Sequence, residues 1–160
     1  MAQELSRWGV GPSIATSAGA YAAVASLATW LWPEVCVLTT VPYVVFLVAG
    51  IVLLAIGVPL LLIAARAATV AYNSDKLATT GIFGLVRNPI YSAWIVFIIP
   101  GLVLMSRSWP LFLTPVVAYL VFKACIGLEN EYLEKRFGDE YRTYKAQVNE
   151  LVPRPRSKHE

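Results

Sequence analysis

Between two long apolar blocks stands DKLATTGIFGLVRNPIY, residues 75–91. Asp75, Lys76, Arg87 and Asn88 need water or a protein-lined setting there, because an unpaired charge in hydrocarbon costs several kcal/mol. The stretch ends in Arg87-Asn88-Pro89-x-Tyr91, where a helix should begin. An arginine fork beside the free N–H groups of a helix start suits a carboxylate or a phosphate. The plainer reading is an interfacial arginine and an aromatic anchor. A second reactive type, Glu129, lies four residues before Leu133 and so on the apolar face of a C-terminal helix. A carboxylate placed there calls for a cation or a hydrogen-bond donor. Arg87 and a cationic ligand are the candidates, against an ordinary interfacial acid paired with Lys123 or Lys76. Gly81 and Gly84 stand three apart with no strand–helix alternation around them, so they are no dinucleotide fingerprint. The Gly9-x-Gly11 pair is weaker still.

The elements that must position these residues are apolar helices. Residues 13–32 carry no charge and are long enough for one crossing at about 1.5 Å per residue. A cleaved signal peptide competes for this run, but its basic leader is weak. Small residues at four-residue spacing (Ala15, Gly19, Ala23, and Ala18, Ala22, Ser26) allow close helix approach. Residues 43–65 form a second span, kinked at Pro59, with 67–72 extending it. The turn Thr79-Thr80-Gly81 and the break at Asn88-Pro89 lead into a third span, 90–105, interrupted by Pro100-Gly101. A tight turn at Ser106-Arg107-Ser108 precedes the fourth, 109–127. A re-entrant hairpin is the alternative for this last pair. Residues 128–148 are charged but periodic, with Leu133, Phe137, Tyr141, Tyr144 and Val148 on one face. Pro153 and Pro155 end that helix. The expected fold is all-α, a single domain built as an integral membrane bundle of four transmembrane helices with a cytoplasmic C-terminal amphipathic helix.

Composition agrees. A chain of 160 residues that is 58% hydrophobic and 14% charged is too apolar for an ordinary soluble domain. A net charge of +3 gives no reason to expect nucleic acid. Two cysteines at opposite faces and one terminal histidine, His159, offer no metal site. Of the 13 Lys and Arg residues, Arg107 alone falls on the far side when both termini are cytoplasmic. The 75–91 loop and the C-terminal helix therefore share the cytoplasmic face and can build one site. No ionisable residue lies in the middle of a span, which disfavours an ion-coupled transporter.

LATTGIFGLVRNPIY, followed some forty residues later by ENEYLEKRFGDEYRTYKAQV and a proline, resembles the isoprenylcysteine carboxyl methyltransferase family and the wider group of membrane phospholipid methyltransferases. The resemblance covers about the C-terminal half and implies S-adenosyl-L-methionine as cofactor without a Rossmann domain. It implies that Lys76, Leu77 and Ala78 line the cofactor site and that Phe83 stands near the cofactor. Asn88, Pro89, Ile90 and Tyr91 fall on the family's cofactor corner, and Glu129 on its cofactor-binding glutamate. Arg87 and Glu129 are the residues expected to matter most for catalysis. Three positions depart from the prenylcysteine pattern: Asn88 for histidine, Asn130 for the second acid of a pair, and Cys125 for a substrate-directed arginine. The implied partners are membrane lipids and a lipophilic or lipid-linked methyl acceptor. A phospholipid amine acceptor is the runner-up, and a non-enzymatic bundle retaining the fold is the rival from another class.

Overall fold

The computed structural model describes residues 9–153. The expectations of an interfacial Trp8 and of a disordered C-terminal tail lie outside the described residues. Four helices are long and apolar enough to cross a membrane: Gly11–Leu31, Tyr43–Asn73, Pro89–Ser106 and Leu111–Phe137. The first is α1, followed by a single turn, α2 (Pro33–Cys36). The second is α3, Tyr43–Asn73. At roughly 1.5 Å per residue its 31 residues outrun a hydrocarbon core of about 30 Å, so its last turns, from Arg66 on, project beyond it.

The third crossing is a composite rod made of α4 (Pro89–Ser92), a π-helical segment (Ala93–Ile98) and α5 (Ile99–Ser106). Pro100-Gly101 does not interrupt it. The wide π turn ends just ahead of Pro100, whose ring cannot tolerate the regular contact with the preceding turn. The rod is continuous over 18 residues, which a re-entrant half-crossing would not need.

The C-terminal part corrects the expected boundaries 109–127 and 128–148. The helix of the fourth crossing does not stop at the charged sequence, because α6 runs unbroken over Thr114–Phe137. Gly138, at φ 57° and ψ −128°, then breaks the chain, and α7 (Asp139–Gln147) leaves in a new direction. Such a backbone conformation is open to glycine and scarcely to other residues. The aromatic face expected over 133–148 is therefore split between two helices.

The helices stand in a row. α1 packs on α6, α6 on the composite rod, and the rod on α3. On α3 only Gly50, Gly57 and Ala64 are buried, seven residues apart and facing the rod. A Cβ on Gly50 would lie 2.6 Å from the Gly101 carbonyl oxygen, so glycine sets the helix spacing here. Gly50→Val is expected to destabilise the bundle by about 2 kcal/mol through overpacking, read as earlier thermal unfolding in detergent. The remaining faces of α3 expose Val44, Val48, Ile51, Val52 and Leu62, an apolar surface suited to lipid.

One end of the row is closed by backbone pairing. Leu38 N–H donates to the Arg107 carbonyl at 2.8 Å, and Thr29 Oγ1 meets the buried Ser108 Oγ at 2.6 Å. At the other end Gly9 and Val10, the 75–91 loop, the end of α6 and α7 converge. The residues singled out in the sequence lie there.

Candidate functional site

The loop between α3 and α4 is held at three points. Asp75, in the left-handed region at φ 52°, pairs with Arg136 near the end of α6. Gly81, at φ 62°, opens a 3-10 turn over Gly81–Gly84, and the Phe83 carbonyl within it accepts the Tyr144 hydroxyl at 2.7 Å. The third point is a backbone clasp. Arg87 N–H donates to the Asn149 carbonyl at 2.7 Å and Asn88 N–H to the Glu150 carbonyl at 3.0 Å. Ser92 Oγ adds a bond to the Leu151 carbonyl at 2.7 Å.

Burial raises the Tyr144 phenol above its ordinary value, partly offset by the nearby Arg87 guanidinium. Tyr141 is raised in the same way and donates to Asn130 Oδ1 at 2.5 Å. Both phenols therefore stay neutral donors at physiological pH. Tyr144→Phe is expected to cost about 1 kcal/mol of stability, the usual worth of one such bond, and to speed proteolysis within the loop.

The structure corrects the expected partner of Glu129. Its carboxylate meets neither Arg87 nor Lys123 nor Lys76. Oε2 accepts the Tyr91 hydroxyl at 2.9 Å and the Val10 N–H at 3.4 Å. Arg87 is committed elsewhere: Nη2 pairs with Glu150 at 3.1 Å and Nη1 donates to the Lys145 carbonyl at 3.2 Å. Lys123 takes the second Glu150 oxygen at 2.7 Å. The reason lies in reach and direction. Glu129 turns inward with Phe122 and Ile126 toward the rod, while Arg87 points along the chain that returns from α7.

Tyr91 and Glu129 are thus in direct contact, and Tyr91 stacks obliquely on Phe122 at 5.4 Å. Asn88 and Pro89 are buried at the start of α4, and Ile90 is half-buried beside them. Phe83 is half-buried, with its carbonyl bonded to the Tyr144 hydroxyl. Lys76 is exposed, and its ammonium makes no ion pair among the described residues, while Leu77 and Ala78 are half-buried behind it. Among the described residues three buried side-chain atoms lack partners, Thr114 Oγ1 at the start of α6 and two here, Arg87 Nε and Asn88 Nδ2. The last two belong to consecutive residues at the corner whose sequence suits an anion. Such orphans are costly unless something accepts from them.

Two contributors escaped the sequence reading. Glu150 bridges Arg87 and Lys123, and its only sequence signal is an acid set just past a helix end before Leu-Val-Pro. Gly9 and Val10 cover Glu129, and the Gly9-x-Gly11 pair was the trace of that turn.

A family model described as phospholipid methyltransferase matches residues 45–140, more than half of the chain. Protein-S-isoprenylcysteine O-methyltransferase B of Arabidopsis thaliana is 30% identical over 78 residues, which is 49% of this chain. The chain spans only 40% of that relative's length. No solved structure matches significantly.

Proposed function

This chain belongs to the phospholipid methyltransferase family, and we propose that it is an integral-membrane enzyme transferring a methyl group from S-adenosyl-L-methionine to a lipophilic or lipid-linked acceptor. One observation carries this reading. Glu129 is a half-buried carboxylate that, among the described residues, has no cationic side chain against it and keeps Oε1 free of hydrogen bonds. A buried carboxylate without a cation is unfavourable alone and well matched to a cationic, hydroxyl-bearing ligand.

The residues present fit that cofactor. Glu129 Oε1 suits an ammonium or ribose hydroxyls. The orphan donors Arg87 Nε and Asn88 Nδ2 suit a carboxylate. Tyr91 and Phe83 are the aromatic rings proposed for the adenine, and the resemblance assigns Lys76, Leu77, Ala78, Pro89 and Ile90 to the wall of the site. When bound, the cofactor supplies an electrophilic methyl group on sulfur. The protein needs no nucleophile of its own, because the acceptor provides the attacking lone pair. Its task is alignment and the exclusion of water, for which the clasped loop and the roof of α7 are suited. The acceptor arrives from the bilayer, and the site faces the cytoplasm by the charge distribution.

Asn88 and Cys125, in place of the prenylcysteine-type histidine and arginine, favour a phospholipid amine as the second reading of the acceptor. The test is transfer of labelled methyl in nanodiscs of native lipid. Label entering the organic phase with wild type but not with Glu129→Ala supports the proposal. Absence of transfer to extracted lipids, phosphatidylethanolamine and prenylcysteine alike would return the chain to the non-enzymatic reading.

A further inference from the structure

Glu129 is oriented from outside the family-matched region. Val10, which precedes residue 45, donates its N–H to Glu129 Oε2 at 3.4 Å and to the Tyr91 hydroxyl at 3.1 Å. Gly9 lies against the same pair. A Cβ on it would fall 2.5 Å from Glu129 Oε2 and 2.7 Å from the Tyr91 hydroxyl, and its φ of 53° is one that other residues resist. Two donors thus converge on one carboxylate oxygen, and Oε1 has no partner among the described residues.

We infer that the Gly9–Val10 turn is a positioning element of the site, fixing the Glu129 carboxylate together with Tyr91 so that Oε1 faces the ligand. This rests on the reading of Glu129 as a cofactor ligand. A displaceable lid would carry a loosely held edge. Val10 instead is 4% exposed and belongs to the core cluster with Ile14, Ile95, Phe122 and Ile126. The turn is therefore anchored by apolar packing, and the hydrogen bonds point from a fixed base. Only glycine brings the backbone this close.

The test uses full-length protein in nanodiscs and S-adenosyl-L-homocysteine as the probe. Gly9→Ala is expected to weaken binding at least tenfold. Gly11→Ala, where a Cβ meets nothing within 4 Å, should bind within twofold of wild type. Gly9→Ala should also cost much less in a Tyr91→Phe background, because both changes act through one carboxylate. General destabilisation would add instead. Melting without ligand checks that each variant folds. Val10→Pro, which deletes the N–H at a φ of −86°, near the proline range, is the second variant. A ligand-free readout stands beside these: the Val10 amide should exchange more slowly in wild type than in Glu129→Ala. Equal or tighter binding by both Gly9→Ala and Val10→Pro overturns the inference, as does equal exchange in the two proteins. Should wild type bind no probe at all, the cofactor reading of Glu129 falls first, and the inference with it.

Discussion

Glu129→Ala is expected to weaken S-adenosyl-L-homocysteine binding at least a hundredfold while leaving the bundle folded. The two halves of this expectation have separate causes. The carboxylate sits where α1, the composite rod and α6 meet, bonded to Tyr91 and Val10, and among the described residues it has no cation against it. Removing it deletes the favourable partner of a cationic ligand, and about 3 kcal/mol corresponds to two decades of affinity. For the apoprotein, the same carboxylate contributes two hydrogen bonds against the cost of its own desolvation. Its loss should move the melting temperature by no more than a few degrees. Calorimetry and thermal unfolding on the same preparation separate these effects.

Glu150→Ala is expected to do the reverse, with stability falling first. Arg87 has a side chain only 6% exposed, and Glu150 is its sole carboxylate partner among the described residues. Truncating Glu150 strands a buried guanidinium and frees Lys123 as well. Because Glu150 is itself 29% exposed, the cost falls below that of a fully buried pair, at about 2 kcal/mol. Thermal unfolding in detergent should drop by on the order of 5 °C. Glu150→Gln, which keeps an acceptor, should recover part of it. Arg87→Ala should likewise destabilise, so weaker cofactor binding in that variant has to be read against its melting curve. A Glu150→Ala protein as stable as wild type would mean that the clasp between 87–88 and 149–150 contributes nothing.

Much of this arrangement was legible in the sequence. Four apolar runs became four helices long and apolar enough to cross a membrane, the turn at Gly81 needed its positive φ, and Asn88-Pro89 does begin a helix. The resemblance implied that Tyr91 and Glu129 share a site, and they touch. What was not legible divides by cause. The contact between Val10 and Glu129 uses a backbone donor, which has no side-chain signature. The Arg87–Glu150 pair joins residues 63 apart, and nothing local selects it over Glu129. The π segment follows from Pro100 only once the rod is known to be continuous. Gly138 followed by Asp139 was an available helix-break signal, but the aromatic spacing across it suggested one helix. Periodicity can persist through a break when both pieces pack on the same loop.

The central claim is that Glu129 stands at a cofactor site, and calorimetric titration of the nanodisc-embedded wild type and Glu129→Ala with S-adenosyl-L-homocysteine tests it most directly. The account predicts saturable binding in wild type that is lost in a variant with an unchanged melting curve. Binding of equal affinity in both proteins, or none in a folded wild type, would contradict it.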